Sequence, residues 1–185
     1  MNSGLIAHRY AGAFLEFLEG KGRADAVYGQ IRVILSAMGK LPKFRIAITD
    51  PKSVSLAKRK DLLAAAVAPQ ELCPEIASLL ELMHQNGRSE FFRLALLDFL
   101  TMYRQSRNLV MVQLTSAKED QRLVPIITKL VEEDFGKKAV INQKIDPSII
   151  GGFVFESWGY RLDASVRRQL EELRNQLKEE NRRLV

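Results

Sequence analysis

The sequence has few of the residues on which enzymes most often build metal and nucleophilic sites. Its 185 residues include one cysteine, Cys73, and two histidines, His8 and His84. A single cysteine excludes an internal disulfide and is typical of a reducing compartment. These three side chains cannot complete a zinc site without carboxylates, and no nucleophile motif surrounds them. Gly39-Lys40 and Gly136-Lys137 lack the earlier glycine and the hydroxyl of a phosphate-binding loop. We therefore expect no catalytic residue, no metal and no cofactor.

Long apolar runs are also missing. No run approaches the roughly 20 apolar residues that a membrane helix needs. Near the N-terminus, Leu5-Ile6-Ala7 leads directly into His8-Arg9 instead of a longer apolar segment typical of a signal peptide. We expect a soluble protein that is not inserted in a membrane and reaches one only through a partner or a surface.

A moderate excess of positive charge leaves one alternative function open. Lysine and arginine number 28 against 22 acidic residues, for a net charge of +6, and the basic residues are mostly interleaved with acids. The best nucleic-acid candidate is an aromatic and basic group near the C-terminus, because aromatic rings interleaved with arginine can stack bases. Its members are Trp158, Tyr160, Arg161, Arg167 and Arg168. A basic RNA- or DNA-binding adaptor is therefore the alternative to a protein-binding role.

The first part of the chain has the apolar periodicity of helices. With 46% hydrophobic residues the chain can form a packed core. Apolar spacings of three and four predict an all-helical bundle of six helices over residues 1–107. The predicted helices cover residues 3–19, 24–38 and 43–48, a fourth capped by Ser53 and ending near Val67, a fifth over 74–85, and a sixth that starts at Ser89.

The pattern changes near Arg107, where β-branched and alternating segments begin. Residues 108–185 predict a small α/β unit of order β-α-β-β-α. Its predicted elements are strands at 109–114 and 139–145, a helix at 119–135, strands at 153–155 and 160–162, and a last helix at 165–183. The last helix carries Val166, Leu170, Leu173 and Leu177 at helical spacing. The chain is thus predicted to hold two domains, 1–107 and 108–185.

Structural residues concentrate in one stretch of the second unit. Asp146 precedes Pro147 and Ser148, which predicts a turn. Gly151 and Gly152 then allow a backbone conformation or a close approach that a side chain would prevent. Further on, Asp163 or Ser165 can accept hydrogen bonds from the first N–H groups of the last helix.

Four residues of the first unit pose a choice between core and binding surface. Tyr10 and Ala13 lie on the first predicted helix, and Ser78 and Leu82 share a face of the fifth. They could be ordinary core, or they could line a groove that binds a partner helix. The residues alone leave both interpretations open.

Three ordered segments carry a family resemblance. A-H-R-Y-A-G-A-F occupies residues 7–14 and N-G-R-S-E-F-F residues 86–92; I-D-P-S-I-I-G-G occupies residues 145–152 and is followed by D-A-S-V-R-R-Q-L at 163–170. In this order and spacing they resemble the delta subunit of bacterial F-type ATP synthases, whose mitochondrial counterpart is the oligomycin-sensitivity-conferring protein. The resemblance covers nearly the whole chain.

The resemblance implies a non-catalytic stator subunit. In that family the N-terminal bundle binds the N-terminal helix of an alpha subunit in a groove between its first and fifth helices. The C-terminal unit binds the b subunits of the peripheral stalk. By this resemblance Tyr10 and Ala13, with Ser78 and Leu82, would line the groove. The expected location is the cytoplasmic face of the bacterial plasma membrane, peripheral through the ATP synthase, with no nucleic-acid partner.

Overall fold

The computed structural model describes the backbone of residues 3–157 and 159–183, and their side chains apart from Phe135 and residues 179–183. The contacts within the chain divide the protein into two compact units, and the boundary lies between Arg107 and Asn108. The observed combination is helices with one four-stranded sheet. The predicted mixture of a helical part and a small α/β part is therefore confirmed.

Six α-helices form most of the first unit within the described part of the chain. They are α1 (Ser3–Gly20), α2 (Ala24–Lys40), α3 (Pro42–Thr49), α4 (Leu56–Val67), α5 (Pro74–Gln85) and α6 (Phe92–Ser106), and a short 3-10 turn (Ser89–Phe91) precedes α6. Proline occupies the first position of both α3 and α5, where its missing N–H has no intrahelical partner to lose.

The core of the first unit is built on contact between α1 and α6. Ala7 and Ala11 of α1 are buried, and their small side chains let the two helices approach closely. Phe14 packs against Phe99 of α6 with ring centroids 5.4 Å apart, a separation at which aromatic pairs attract. Leu18 completes the buried face of α1.

A buried arginine connects α4 to the 3-10 turn. The Arg59 side chain is fully buried; Nε and Nη2 donate to the Val54 carbonyl oxygen over 3.2 and 3.1 Å, and Nη1 donates to Ser89 Oγ over 3.4 Å. A buried charge is tolerated only when its donors are satisfied. These bonds fix the turn that follows α5.

The second unit is a four-stranded sheet with two helices. Its elements are β1 (Leu109–Ser116), α7 (Leu123–Phe135), β2 (Lys138–Ile145), a 3-10 turn (Pro147–Ile149), β3 (Gly152–Ser157), β4 (Tyr160–Ser165) and α8 (Val166–Arg183). The strand order is β2-β1-β3-β4. β1 and β2 are parallel, from Leu109 opposite Lys138 to Ser116 opposite Ile145, while β1–β3 and β3–β4 are antiparallel. Helix α7 is the crossover that a parallel pair requires.

One face of the sheet carries the core of this unit. Alternate residues of β1 are buried, as expected for a strand with one face covered. They pack with residues of α7 and β3. The buried cluster consists of Val110, Val112, Leu114, Ile127, Val131 and Phe155.

Three predicted helix starts were wrong. Helix α4 is capped by Ser55, whose hydroxyl accepts from Lys58 N over 3.4 Å, and not by Ser53. Ser89 opens a 3-10 turn, so α6 starts three residues later at Phe92. Helix α7 starts at Leu123 instead of residue 119, because the Asp120 carboxylate binds the backbone N–H of Arg122 in a local turn.

Candidate functional site: a groove between α1 and α5

Two matching stripes of side chains form a groove on the first unit. Helix α1 contributes four residues at relative positions 0, 3, 4 and 7, and α5 contributes four at the same spacing; residues so spaced lie on one side of a helix. The lining residues are Tyr10, Ala13, Phe14, Phe17, Glu75, Ser78, Leu79 and Leu82. The groove has a volume of about 280 Å³. The four residues singled out in the sequence therefore lie together in one groove.

Polar contacts at both ends fix how the two helices run. At one end, Asn86 Nδ2 donates to the Tyr10 hydroxyl over 2.9 Å. At the other end, Arg23 Nε lies 3.5 Å from Glu75 Oε1. Tyr10 lies within α1 and Arg23 follows the end of that helix, whereas Glu75 lies in the first turn of α5 and Asn86 follows its end. The two helices are consequently antiparallel along the groove.

The groove has a buried floor and exposed apolar walls. Phe14 and Leu79 are buried and form the floor, while Phe17 and Leu82 are about half exposed, at 46% and 50%. Ala13 is exposed. Exposed apolar side chains arranged side by side, and not scattered, indicate a binding surface.

None of the four predicted residues belongs to the core. Ala13, Ser78 and Leu82 are exposed, and Tyr10 is half-buried. The hydroxyl of Ser78 donates to the Pro74 carbonyl within its own helix over 2.9 Å, which leaves its small side chain without an unmet donor. The interpretation of all four as ordinary core is wrong.

Four residues that line the groove were not predicted from the sequence: Phe14, Phe17, Glu75 and Leu79. The helical spacing of Phe14, Phe17 and Leu79 does not distinguish a groove from a core, and Glu75 is not an apolar residue. The signal was available, because Glu75 stands three, four and seven residues before the other lining positions of α5. A charged residue usually marks the edge of an apolar helix face, so Glu75 is not predicted to belong to this one.

The structural stretch of the second unit holds its turn by side-chain caps. Asp146 Oδ1 accepts from Ser148 N over 3.0 Å, and Asp163 Oδ1 accepts from Ser165 N over 3.0 Å. Hydrogen bonds from Ser148 lower the pKa of Asp146, and those from Ser165 lower the pKa of Asp163. Of the two proposed caps for the last helix, Ser165 is the one used: its hydroxyl accepts from Arg168 N over 3.2 Å.

Helix α8 exposes its leucines. Leu170, Leu173 and Leu177 are 52%, 56% and 55% exposed, although their spacing places them on one face. The opposite side carries ion pairs one helical turn apart, Arg167 with Glu171 at 3.1 Å and Arg168 with Glu172 at 2.8 Å. This stripe is a second apolar surface.

The basic group near the C-terminus is largely neutralised. Arg161 lies 3.2 Å from Glu156 and 3.7 Å from Asp163, and the ion pairs of α8 engage Arg167 and Arg168. Trp158 lies outside the described residues. Because nucleic-acid affinity depends on cations that are available to phosphates, this geometry does not favour the nucleic-acid alternative.

The described residues contain no arrangement suited to metal chemistry. Over residues 3–157 and 159–183 no group of three or more histidine, cysteine or acidic side chains is placed to hold a metal ion. Cys73 is buried, and His84 contacts Ser89 Oγ at 3.4 Å. Within the same ranges no helix has the length and hydropathy needed to cross a bilayer.

A helical unit with an apolar groove, followed by a small α/β unit with an apolar helix face, defines a two-part protein-binding adaptor. Comparison with known proteins gives its family. The family model described as "ATP synthase delta (OSCP) subunit" matches residues 6–177. The chain belongs to this family, as its sequence motifs indicated, and is a non-catalytic peripheral-stalk subunit.

Curated relatives agree with this assignment, and one solved structure has a similar fold. The "ATP synthase subunit delta" of Phocaeicola vulgatus is 31% identical over the full length of both chains. That of Synechococcus sp. (strain CC9311) is 31% identical over 91% of this chain and 92% of the relative. A chain in the structure of the Toxoplasma gondii mitochondrial ATP synthase hexamer has a similar fold, with a TM-score of 0.59 at 22% identity, and covers 92% of this chain and 96% of that chain.

Proposed function

We propose that the chain joins the catalytic head of an F-type ATP synthase to its peripheral stalk by two separate helix-binding surfaces. The helices of the first unit act as one bundle whose α1–α5 groove binds the N-terminal helix of an alpha subunit. The second unit binds the b subunits. The complex holds the chain at the cytoplasmic face of the bacterial plasma membrane. The observation that carries the proposal is the exposed apolar groove lined by Tyr10, Ala13, Ser78 and Leu82.

The shape of the groove fits a helix. From Tyr10 to Phe17 the groove follows two turns of α1, about 10 Å along the axis. A partner with apolar residues at positions 0, 3, 4 and 7 would match this length, which is the usual pattern for a helix bound in a groove. Ala13 and Ser78 are small, so a helix backbone can approach between Phe17 and Leu82.

The leucine face of α8 is the proposed site for the b subunits. A helix whose leucines face water is unfavourable in isolation, since each exposed leucine forgoes about 1.5–3 kcal/mol of burial. Packing against stalk helices would bury Leu170, Leu173 and Leu177 together. This is the geometry of coiled-coil-like association.

Both proposed contacts are apolar, which suits a mechanical role. A stator subunit must hold the head while the rotor turns within it. Ion pairs at the surface are screened beyond about 8 Å at physiological ionic strength, whereas apolar burial is not. We infer that the chain transmits torque from head to stalk through buried helix contacts.

Attachment to the catalytic head tests the proposal. Wild-type chain, Ala13→Trp and Ala65→Trp are each mixed with a head preparation that lacks this subunit, and the bound fraction is measured by sedimentation. Ala65 is an exposed alanine on α4, outside the groove, and serves as the matched control. We expect wild type and Ala65→Trp to bind and Ala13→Trp to fail. Equal binding by all three would refute the groove as the contact.

A further inference from the structure

The apolar groove contains one charged side chain whose hydrogen bonding is incomplete. Glu75 lines the groove, and its side chain is only 9% exposed. Oε1 is near Arg23 Nε at 3.5 Å, but Oε2 is buried with no hydrogen-bond partner. In the described part of the chain one other buried side-chain polar atom shares this condition, Arg93 Nε, and Arg93 does not line the groove.

The fold alone does not account for this carboxylate. Glu75 is the second residue of α5, where the helix dipole favours a negative charge. An acidic residue at that position gains the same benefit when it is exposed, so the dipole does not explain why it is buried. A buried polar atom without a partner lowers the stability of the folded state, and such atoms are rare in proteins.

We propose that Glu75 is the polar anchor of the groove, and that the bound helix brings a hydrogen-bond donor to Oε2. This inference rests on the proposed function of the groove. The donor is a hydroxyl or a cationic side chain of the partner helix, at the end of the groove near Phe17 and Arg23. Because the terminal dihedral angle of glutamate has broad preferences, Oε2 turns towards the docked helix without movement of α5.

The anchor gives the groove a register. The remaining lining residues are apolar or internally satisfied, and an apolar stripe alone allows a helix to shift by one turn at little cost. A single buried acceptor selects the one register that brings a donor to it, in the same way that a lone buried polar residue fixes the register of a coiled coil. Glu75 is therefore a specificity-determining residue.

The test compares stability with binding. The full chain is titrated with a synthetic peptide of the N-terminal helix of the alpha subunit from the same enzyme, and the thermal midpoint is measured in parallel. For Glu75→Leu we expect a midpoint at or above that of wild type, since a buried unpaired acceptor is removed and Arg23 remains solvated with a side chain 47% exposed. We expect peptide affinity to fall on the order of tenfold to a hundredfold, the range for a hydrogen bond to a charged group.

Two further variants complete the design. Glu81→Leu removes a carboxylate from the same helix outside the groove and should leave peptide affinity unchanged. Glu75→Gln keeps the size of the side chain and a neutral acceptor, so it should fold even if Glu75→Leu does not, and its affinity should lie between wild type and Glu75→Leu. Replacing the polar residues of the peptide one at a time by alanine should reveal one position that weakens binding to wild type but not to Glu75→Leu.

The outcomes separate the two proposals. If wild type binds the peptide and both Glu75 variants bind it equally tightly, the anchor is overturned while the groove stands. If wild type does not bind the peptide at all, the groove and the anchor fall together. A third outcome would also overturn the anchor. If both Glu75 variants bind the peptide more weakly and both also melt at a clearly lower temperature than wild type, Glu75 has a structural role.

Discussion

Gly152 lies against the carbonyl oxygen of Ala164 on the neighbouring strand, so close that a Cβ at position 152 would overlap it. Gly152 also has a φ of +72°, in the left-handed region. Both features require glycine. The turn after β2 and the β3–β4 pairing therefore meet at one residue.

Gly152→Val should destabilise the second unit. Strain from the positive φ costs about 1–3 kcal/mol, and the overlap with Ala164 adds to it. Gly136→Val is the matched control, because Gly136 has a φ of +62° but open space around it, so this variant reports backbone strain without overlap. Denaturant unfolding of both variants should show a larger loss for Gly152→Val. Equal losses would mean that the contact with Ala164 is unimportant.

The same variant should separate the two proposed binding activities. The first unit has its own core, so Gly152→Val should still attach to the catalytic head but lose the stalk. In reconstituted membranes we expect ATP hydrolysis to continue without proton pumping. Head attachment and ATP-driven acidification are measured separately, and normal acidification would count against this prediction.

The leucine face of α8 should matter for binding and not for folding. Leu173 is 56% exposed, so Leu173→Asp should leave the free energy of unfolding nearly unchanged, within about 0.5 kcal/mol. Its binding to the soluble domain of the b subunits should fall at least tenfold. Asn175→Asp adds the same charge on the opposite side of the helix and should bind normally. A stability loss in Leu173→Asp would show that the leucines pack within the free protein.

The first unit should fold by itself. Residues 1–107 contain the α1–α6 core and the whole groove. A fragment of these residues should be helical by circular dichroism and unfold in one cooperative transition. Non-cooperative melting would place the domain boundary elsewhere.

Tyr103 should make the stability of the first unit pH-dependent in alkali. Burial, with the hydrogen bond to Asp25 Oδ1 at 2.7 Å, raises the pKa of Tyr103 to about 12. The folded-state pKa exceeds the unfolded value of about 10, so this stabilisation is complete below about pH 10 and is lost as pH rises towards about 12. Wild type should be more stable than Tyr103→Phe at about pH 8, and the difference should shrink at about pH 11. If the difference in stability between wild type and Tyr103→Phe stays constant with pH, ionisation of Tyr103 is not coupled to unfolding and the prediction is wrong.

Element types could be predicted from the sequence because periodicity records which face of each element is apolar. Alternation in β1 and the apolar spacing of α6 both correspond to buried faces. Helix starts were less predictable, because several hydroxyl and acidic residues compete as caps. Ser53 and Ser55 are both plausible caps by residue type, and the structure uses Ser55.

Periodicity could not show what covers an apolar face. The leucines of α8 and the buried residues of α1 have the same spacing, yet the leucines are exposed. The groove residues could be located only through the family resemblance, because alanine and leucine, the residue types at positions 13 and 82, are also common in a protein core. Glu75 shares the helical spacing of the other groove residues of α5, but no local pattern records that a charged side chain at this position is buried, because its burial depends on tertiary packing.

Peptide binding at the groove tests the central claim most directly. The N-terminal helix peptide of the alpha subunit is titrated by calorimetry into wild type, Ala13→Trp and Ala65→Trp, and each thermal midpoint is measured. The prediction is tight binding by wild type and Ala65→Trp, at least tenfold weaker binding by Ala13→Trp, and closely similar midpoints, because Ala13 faces solvent in the free protein. Undiminished binding by Ala13→Trp, or a midpoint lowered as overpacking of a core would lower it, would contradict the account.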